Sequence, residues 1–539
     1  MREIPKASSG RNWRPSLATS RSLLAGLLVT AGLPPYPWTG LLVVAGLVLL
    51  FATLRSADRP GRCAWLFGLA HQTSLLYWLF LLDPAKSIPS RALVPVQAAL
   101  AIVYVSVFYL GFGWAWGRLR GRLGQGPALL LLPVLWTVME HLRAGGEMGF
   151  PWCLSGGAVL DTPLFPLVRA AGELGVGTAL AFTALPVIIL WPGIREGLPR
   201  LFRGLALAGT VVVWSLLVVG ALVTPAPPPP LAVPGTAPAP LRSQPLSVAA
   251  VQANVALADK WVDAKIDSTK LPYAALTARA AESGAEFVVW AETALPAYVR
   301  YDPALLDWTR QVVSTAGVNL YTGFPDAERS PEGVLTRYNS SGLFSTGGHL
   351  RARYPKHHLL PIGEAMPFTS VLPFLAQLDV GQAEWTPGPR PVPMTIATPE
   401  GGFPFSGLIC FESAFAWLAR SAVVDGARCL VVITNDGWFG ESAGPRQHAA
   451  LARIRAAECD VPLIRCANNG ISLISDRRGR VVDSLGLGRR GYVAAAVTPG
   501  PAATPFVRWG NQPLFAFLVV WTVLVVVFGR AGEPGKEIR

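Results

Sequence analysis

The sequence predicts two fused architectures: a polytopic α-helical membrane domain of about eight transmembrane helices, and a layered α/β domain held outside the cytoplasm. Three observations predict this. The 539 residues are 51% hydrophobic and only 15% charged, with a mean hydropathy of +0.40, too apolar for an ordinary soluble enzyme. Apolar runs able to cross a bilayer, which takes about 20 residues each, crowd the N-terminal part and recur once near the end. From about residue 246 the texture changes to short β-like runs alternating with helical patterns.

The spans read as 17–33, 39–54, 63–82, 92–117, 127–142, 165–191, 204–223 and 513–529. The first two are short and split by PPYPW (34–38), so a re-entrant pair is the alternative to two crossings there. Basic residues set the orientation. A cytoplasmic N terminus puts Arg2, Lys6, Arg11, Arg14 and Arg21 inside, then Arg55, Arg59 and Arg62, then Arg118, Arg120 and Arg122, then Arg195, Arg200 and Arg203, and finally Arg530, Lys536 and Arg539. The opposite short loops carry little beyond Lys86, Arg91 and Arg143. Seven crossings before residue 224 then leave everything to about 512 outside the cytoplasm. The basic N-terminal segment has no small-residue cleavage signature and reads as a retained helix. The net charge of +13 is thereby a topology signal, and no basic stripe interleaved with aromatics argues for nucleic acid. Glu140 and Glu173 are the notable acids inside spans, too few for a transport path. Arg143 and Arg169, at span ends, read as headgroup contacts or as snorkelling side chains.

The domains follow: 1–224 for the membrane part, 225–245 for a proline-rich linker, 246–500 for the catalytic domain and 512–530 for a C-terminal transmembrane helix. The linker holds most of TPAPPPPLAVPGTAPAP (224–240), which is uncharged, unable to form a core and extended. Strand-like runs lie at 246–255, 285–296, 319–324, 338–345, 405–413, 429–436 and 462–476, with a helix over roughly 444–459.

Three stretches of this domain hold residue types suited to covalent acyl chemistry. WAETALP supplies Glu292 at a strand end, YPKHHLLPIGE supplies Lys356 and Glu364, and GLICFES supplies Cys410 followed by Glu412. A strand-end cysteine near a lysine is expected to lean toward thiolate. A glutamate in reach can take the thiol proton and return it, and the lysine can stabilise the developing oxyanion. Singly, each has an ordinary reading as core, cap or solvated charge, and Cys429, Cys459 and Cys466 read as core. GLGRRG (486–491) is followed by strand-like YVAAAV and no helix, which argues against a dinucleotide site. No cofactor is expected, and with adjacent His357 and His358 and no H-E-x-x-H, no metal either. No G-x-S-x-G elbow is present, and His448 reads as a loop-orienting residue.

The conjunction of the three stretches resembles the Glu-Lys-Cys triad of the nitrilase (carbon–nitrogen hydrolase) superfamily, whose fold is an α-β-β-α sandwich. With the spans, nearly the whole chain resembles the apolipoprotein N-acyltransferase family, the membrane-embedded branch that ends bacterial lipoprotein maturation. GFPW (149–152), VQANV with Lys260 and Trp261 beyond it, YNSS, YPKHHLLPIGEAMPF, GLICFE, TNDGWFG (434–440) and ANNGIS carry the likeness. The resemblance implies Glu292 as general base, Lys356 as oxyanion stabiliser and Cys410 as nucleophile, with Trp261, Asn339, Glu364, Phe411 and Glu412 at supporting positions. Many members have proline at Ala291 and tyrosine at Phe411; the second departure removes a hydroxyl beside the nucleophile.

The resemblance further implies ping-pong transfer of an acyl chain from a phospholipid, phosphatidylethanolamine in the family, to the N-terminal amine of a diacylglyceryl-modified apolipoprotein. It also implies the bacterial inner membrane, with both termini cytoplasmic. A membrane-tethered amidase or nitrilase-type hydrolase with the same triad is the runner-up, and a non-enzymatic transporter or scaffold a distant third. The apolar stretch AMPFTSVLPFLAQL (365–378) reads either as a segment dipping into the outer leaflet or as packing on the catalytic core.

Overall fold

The computed structural model describes residues 16–36, 40–82, 92–190, 198–227, 240–260, 262, 265–377 and 384–531. Its first part is helical: α1 (Leu17–Ala31), α2 (Leu41–Ser56), α3 (Pro60–Leu75), α4 (Leu93–Leu123), α5 (Gln125–Leu130), α6 (Leu132–Ala144), α7 (Val168–Ile189) and α8 (Arg200–Leu222). Among the described residues, four stretches are long and apolar enough to cross a membrane: Leu93–Leu123, Phe165–Ile189, Arg200–Leu222 and Gln512–Gly529. Leu17–Ala31 and Leu41–Ser56 are shorter apolar helices. Two predicted spans are broken. The run 63–82 is α3 plus a 3₁₀ turn at Tyr77–Leu81, and 127–142 divides between α5 and α6, where Pro133 near the start of α6 has no N–H to continue a ladder. Lys86, Arg91, Arg195 and the N-terminal basic cluster up to Arg14 lie outside the described residues, as do most of the proline-rich run and, at the other end, Lys536 and Arg539.

Small residues let these helices approach. A Cβ on Gly26 of α1 would sit 2.5 Å from Phe67 O of α3, and one on Gly113 of α4 would sit 2.6 Å from Pro60 O, the close packing expected of helices that have no hydrophobic drive from lipid. Helix α7 is interrupted near its start, where Ala171 and Gly172 leave helical φ/ψ.

Among the described residues, the second part holds twelve strands in two six-stranded sheets, ordered β12-β1-β2-β3-β4-β5 and β11-β10-β9-β8-β7-β6. In chain order these are β1 (Leu246–Gln252), β2 (Phe287–Trp290), β3 (Asn319–Arg329), β4 (Leu335–Phe344), β5 (Leu350–Pro355), β6 (Met394–Thr398), β7 (Gly401–Ile409), β8 (Leu430–Thr434), β9 (Leu463–Ala467), β10 (Ser472–Ser475), β11 (Val481–Leu485) and β12 (Gly491–Val497). The centres are parallel, β1 with β2 and β3, and β7 with β8 and β9, while the flanking strands pair antiparallel. Parallel strands buried on both faces need continuous apolar sequence, and FVVW, LVVIT and LIRCA supply it.

The remaining helices are α9 (Leu257–Lys260), α10 (Ile266–Glu282), α11 (Pro303–Ala316), α12 (Ala416–Val424), α13 (Gly444–Cys459), α14 (Pro505–Trp509) and α15 (Gln512–Ala531). One core lies between the sheets, around Phe287, Tyr321, Phe405, Val431 and Ile464. A second joins α10 and α11 to the outer face of the first sheet, around Tyr273, Trp290 and Val313. The third carries most consequence: Leu408, Val432 and Leu463 on the outer face of the second sheet share a single buried cluster with α12, α13 and the membrane-part residues Trp152, Phe165 and Leu174. The α-β-β-α sandwich is therefore fused to the helical bundle through one of its helix layers.

Charges at that seam differ from the sequence expectation. Arg169 does not snorkel; it pairs with Asp460 at the end of α13. Arg143 is 1% exposed and donates inward to Phe150 O at 3.1 Å and Trp152 O at 3.3 Å. Glu140 accepts from Ser155 N at 2.7 Å and Ser155 Oγ at 2.8 Å, and Glu173 pairs with Arg455 of α13 at 2.6 Å. Unlike a free spacer, the last residues of 225–245 are docked: Leu241 bridges Gly402, and Arg242 pairs with Glu286 at 3.0 Å and Glu400 at 3.1 Å.

Candidate active site

The parallel strands β2, β7, β8 and β9 end at one edge of the sandwich, the edge where parallel sheets place their sites. Glu292 follows β2, Cys410 follows β7, Asn435 and Asp436 follow β8, and Lys356 follows β5, the edge strand beyond β3 and β4 in the first sheet. Glu292 is buried and held from three sides. Its Oε1 accepts from Asn339 Nδ2 at 2.8 Å, its Oε2 from the Asn435 N–H at 3.0 Å, and its backbone oxygen from Lys260 Nζ at 2.8 Å. Asn339 Nδ2 also donates to Glu364 Oε1 at 3.0 Å. With carboxylates on both sides, that end of the amide must be the nitrogen. Glu364 Oε2 in turn lies 2.6 Å from Lys356 Nζ.

Lys356 is buried beside this carboxylate. Burial works against its ammonium, but Glu364, then Cys410 and Glu292, outweigh it and hold the lysine above its usual range. Lys260 has weaker support: burial brings it down to about 8 against the pull of Glu292. Glu412 is fully buried and takes four donors, with Oε1 accepting from Tyr354 Oη at 2.6 Å, His357 N at 2.8 Å and His358 N at 3.0 Å, and Oε2 from Ile409 N at 2.7 Å. It ties the strand carrying Cys410 to the loop carrying Lys356, so its part is to hold two segments together.

Cys410 is partly buried and stands in the left-handed region with φ +54. The expected lean toward thiolate is reversed. Burial pushes the thiol up, the Glu292 carboxylate adds to this, and Lys356 only partly opposes it. Ionisation of the thiol is thereby disfavoured. Phe411 does not face that chemistry; it stacks 5.8 Å from Phe150 and 6.5 Å from Trp152, centroid to centroid, with Phe415 edge-on at 5.1 Å.

The structure brings Glu292, Lys356, Cys410, Asn339, Glu364 and Glu412 together, with Phe411 alongside; Trp261 lies outside the described residues. The sequence reading overlooked Asn435 as the N–H on Glu292, Thr434, whose hydroxyl meets the Cys410 thiol, and Asp436 as the buried partner, 3.0 Å away, of the His448 it read as loop-orienting. TNDGWFG was the available signal, since a polar run directly after an apolar strand marks a strand-end loop. GLGRRG forms the β11–β12 turn, where Asn254 Nδ2 donates to Gly488 O at 2.7 Å.

Residues 247–503 match the model of the carbon-nitrogen hydrolase family, and residues 25–185 match that of the apolipoprotein N-acyltransferase N-terminal domain. An apolipoprotein N-acyltransferase of Azotobacter vinelandii is 30% identical over 535 residues, covering 96% of this chain and 97% of its own. One from Geobacter metallireducens is 30% identical over 512 residues, covering 94% of each chain, and one from Photobacterium profundum is 28% identical over 525 residues, covering 94% of this chain and 95% of its own. With both regions matched and relatives aligned almost end to end, the chain belongs to the apolipoprotein N-acyltransferase family.

Proposed function

We propose that this protein moves an acyl chain from a phospholipid, phosphatidylethanolamine foremost, to the N-terminal amine of a diacylglyceryl-cysteine apolipoprotein through a thioester on Cys410. Glu292 takes the Sγ proton, Sγ attacks the ester carbonyl carbon, and Lys356 Nζ faces the oxyanion. Collapse breaks the acyl C–O bond, Glu292 returns the proton to the departing alcohol oxygen, and lysophospholipid leaves. The lipoprotein amine then attacks the thioester carbon; its proton passes to Glu292 and on to the sulfur as the C–S bond breaks. Glu292 suits this role because Asn339 and the Asn435 N–H fix both its oxygens.

The observation that carries the reading is the packing of Phe150 and Trp152, from the membrane part, onto Phe411 next to the thiol. An acceptor that must outcompete water needs a dry wall there, which a merely tethered hydrolase does not. Consistent with lipid access, Phe368, Val371, Leu372 and Phe374 are exposed rather than packed on the sandwich, and Phe368 N is tied to Glu147 Oε1 at 2.9 Å; we assign 365–377 to the outer leaflet, residue 378 lying outside the described residues. The same reading takes eight spans, an extracytoplasmic domain over 246–500, and both termini in the cytoplasm of a bacterial inner membrane, on the strength of the arginine distribution.

Intact-mass analysis of purified protein with phosphatidylethanolamine, then with a diacylated lipopeptide bearing a free amine, tests it. The expected result is one acyl adduct, absent in Cys410→Ala, that moves to the peptide. An adduct discharged by water alone, with no peptide product, replaces transfer with hydrolysis.

A further inference from the structure

Cys410 is a non-glycine residue at φ +54, a strained conformation that persists only where its surroundings dictate it. Its carbonyl shows what dictates it here. Cys410 O accepts from His448 Nε2 at 3.0 Å and from Ser413 Oγ at 2.9 Å. Behind the imidazole, Nδ1 lies 3.0 Å from Asp436 Oδ1 and 3.2 Å from Arg465 Nη2, and Arg465 Nη2 donates to Asp436 Oδ2 at 2.7 Å. Thr434 Oγ1 adds a bond to Asp436 Oδ1 at 2.9 Å. Trp152 lies against the ring at 5.5 Å and Phe439 meets it edge-on at 6.2 Å. His448, Asp436, Arg465 and Ser413 are all buried.

None of these groups is needed for the proton transfers above, and His448 cannot serve as a base while Nε2 is directed at a carbonyl. A carbonyl only accepts, so the contact with Cys410 O needs a hydrogen on Nε2; Nδ1 meets both an acceptor, Asp436 Oδ1, and a donor, Arg465 Nη2, so the ring is held on that side with or without a proton there. Burial, with Arg465 beside it, lowers the histidine's affinity for a second proton, in keeping with a neutral ring. We propose that His448 is a positioning residue: braced by Asp436 and Arg465, it clamps the Cys410 carbonyl and fixes the left-handed turn that aims the thiol between Glu292 and Lys356. This rests on Cys410 being the nucleophile. It also gives the membrane part a hold on the thiol, because Trp152 packs on the clamp.

The test compares full-length His448→Leu and His448→Gln, the latter keeping an N–H donor at the position of Nε2. Two rates are read: acyl-adduct formation from phosphatidylethanolamine, and lipid-free alkylation of Cys410 by iodoacetamide, the other five cysteines being buried. Misplacing a reacting atom by about 1 Å costs about 10²-fold. His448→Leu is therefore expected to lose about 10²-fold in kcat with KM unchanged, to slow alkylation in parallel, and to be largely rescued in His448→Gln. Wild-type rates in a folded His448→Leu, or equal losses in both variants carried by KM, overturn the proposal. Should His448→Leu fail to fold, Arg465→Met against His448→Gln decides it: a kcat loss only in the former supports the clamp, and the reverse overturns it. Because alkylation uses no lipid, absence of an acyl adduct in the wild type refutes the acyl reading without touching this comparison.

Discussion

Replacing Glu364 with glutamine tests whether Lys356 depends on that carboxylate to remain charged. Lys356 is 1% exposed and its Nζ sits 2.6 Å from Glu364 Oε2, on a side chain 14% exposed. Breaking a buried pair by removing one partner costs about 3–5 kcal/mol, and the partial exposure of Glu364 points to the low end, ~3 kcal/mol. The pH sign follows from the raised lysine. A cation whose folded-state value lies above the unfolded one contributes stability that is complete below about 10.4 and is lost only as pH rises through the folded value. Wild-type protein therefore keeps its ammonium across the neutral and mildly alkaline range. In Glu364→Gln the largest opposing influence, burial, gains ground, and the lysine gives up its proton at lower pH. Loss of one oxyanion-stabilising group lowers turnover by about 10²–10³-fold. The assay is the rate of acyl-adduct formation on Cys410 against pH, with thermal unfolding alongside. Expected are a falling alkaline limb absent from wild type and a lowered melting temperature. A Glu364→Gln protein with wild-type rate and a flat alkaline limb would refute the dependence of Lys356 on Glu364.

Two further outcomes follow from neighbouring groups. Lys260, held at about 8, lies below the ordinary lysine value, so its charged form penalises the fold by about 3 kcal/mol below pH 8, relieved between pH 8 and about 10.4; wild-type melting temperature should climb over that interval and Lys260→Met should flatten the climb. Gln447 Oε1 accepts from both Trp78 Nε1 and Trp152 Nε1 at 2.8 Å, so Gln447→Leu leaves two buried indoles unpaired at about 1–3 kcal/mol each, measured as lower thermal stability together with slower acylation.

Legibility from the sequence tracked how each residue's environment is encoded. Strands β2, β8 and β9 were readable because burial on both faces demands unbroken apolar runs. Strands β5, β6 and β11 were missed because they flank the sheets half-solvated, and LRARYP or VVDSL carries neither a continuous apolar run nor clean alternation. Glu292, Lys356 and Cys410 were legible as strand-end residues set in motifs, although their convergence is a property of the sheet order, which joins β2 and β5 through β3 and β4. The direction of the Cys410 shift was not legible, since it depends on how deeply the thiol is buried rather than on having a lysine nearby. Arg169 and Arg143 misled for the same reason: a span-end arginine looks alike in sequence whether it faces lipid or, as here, Asp460 and the carbonyls of residues 150 and 152.

The shared core at the seam argues that the catalytic sandwich cannot stand without the helices, and a fragment spanning 240–504 tests this. Cutting there severs charged and apolar contacts, and the two differ in consequence. The charges keep substitutes: Arg455 retains Glu458 at 3.1 Å and Asp460 retains Arg477 at 2.7 Å, and water solvates what is newly exposed. The apolar layer has no substitute. Phe411 loses Phe150 and Trp152, Phe439 loses Trp78, and the outward faces of α12 and α13 lose the cluster that runs into α7. Soluble monomers rarely expose contiguous apolar patches beyond a few hundred Å², and a domain with a net stability of about 5–15 kcal/mol has little reserve against such exposure. The fragment is expected to aggregate or to require detergent, and to leave Cys410 unreactive toward phospholipid because the wall at Phe411 is gone. A monodisperse fragment in detergent-free buffer with a cooperative melt and an intact acylation rate would mean that the membrane part is needed neither to deliver lipid nor to build the thiol's surroundings, which the sandwich then makes alone.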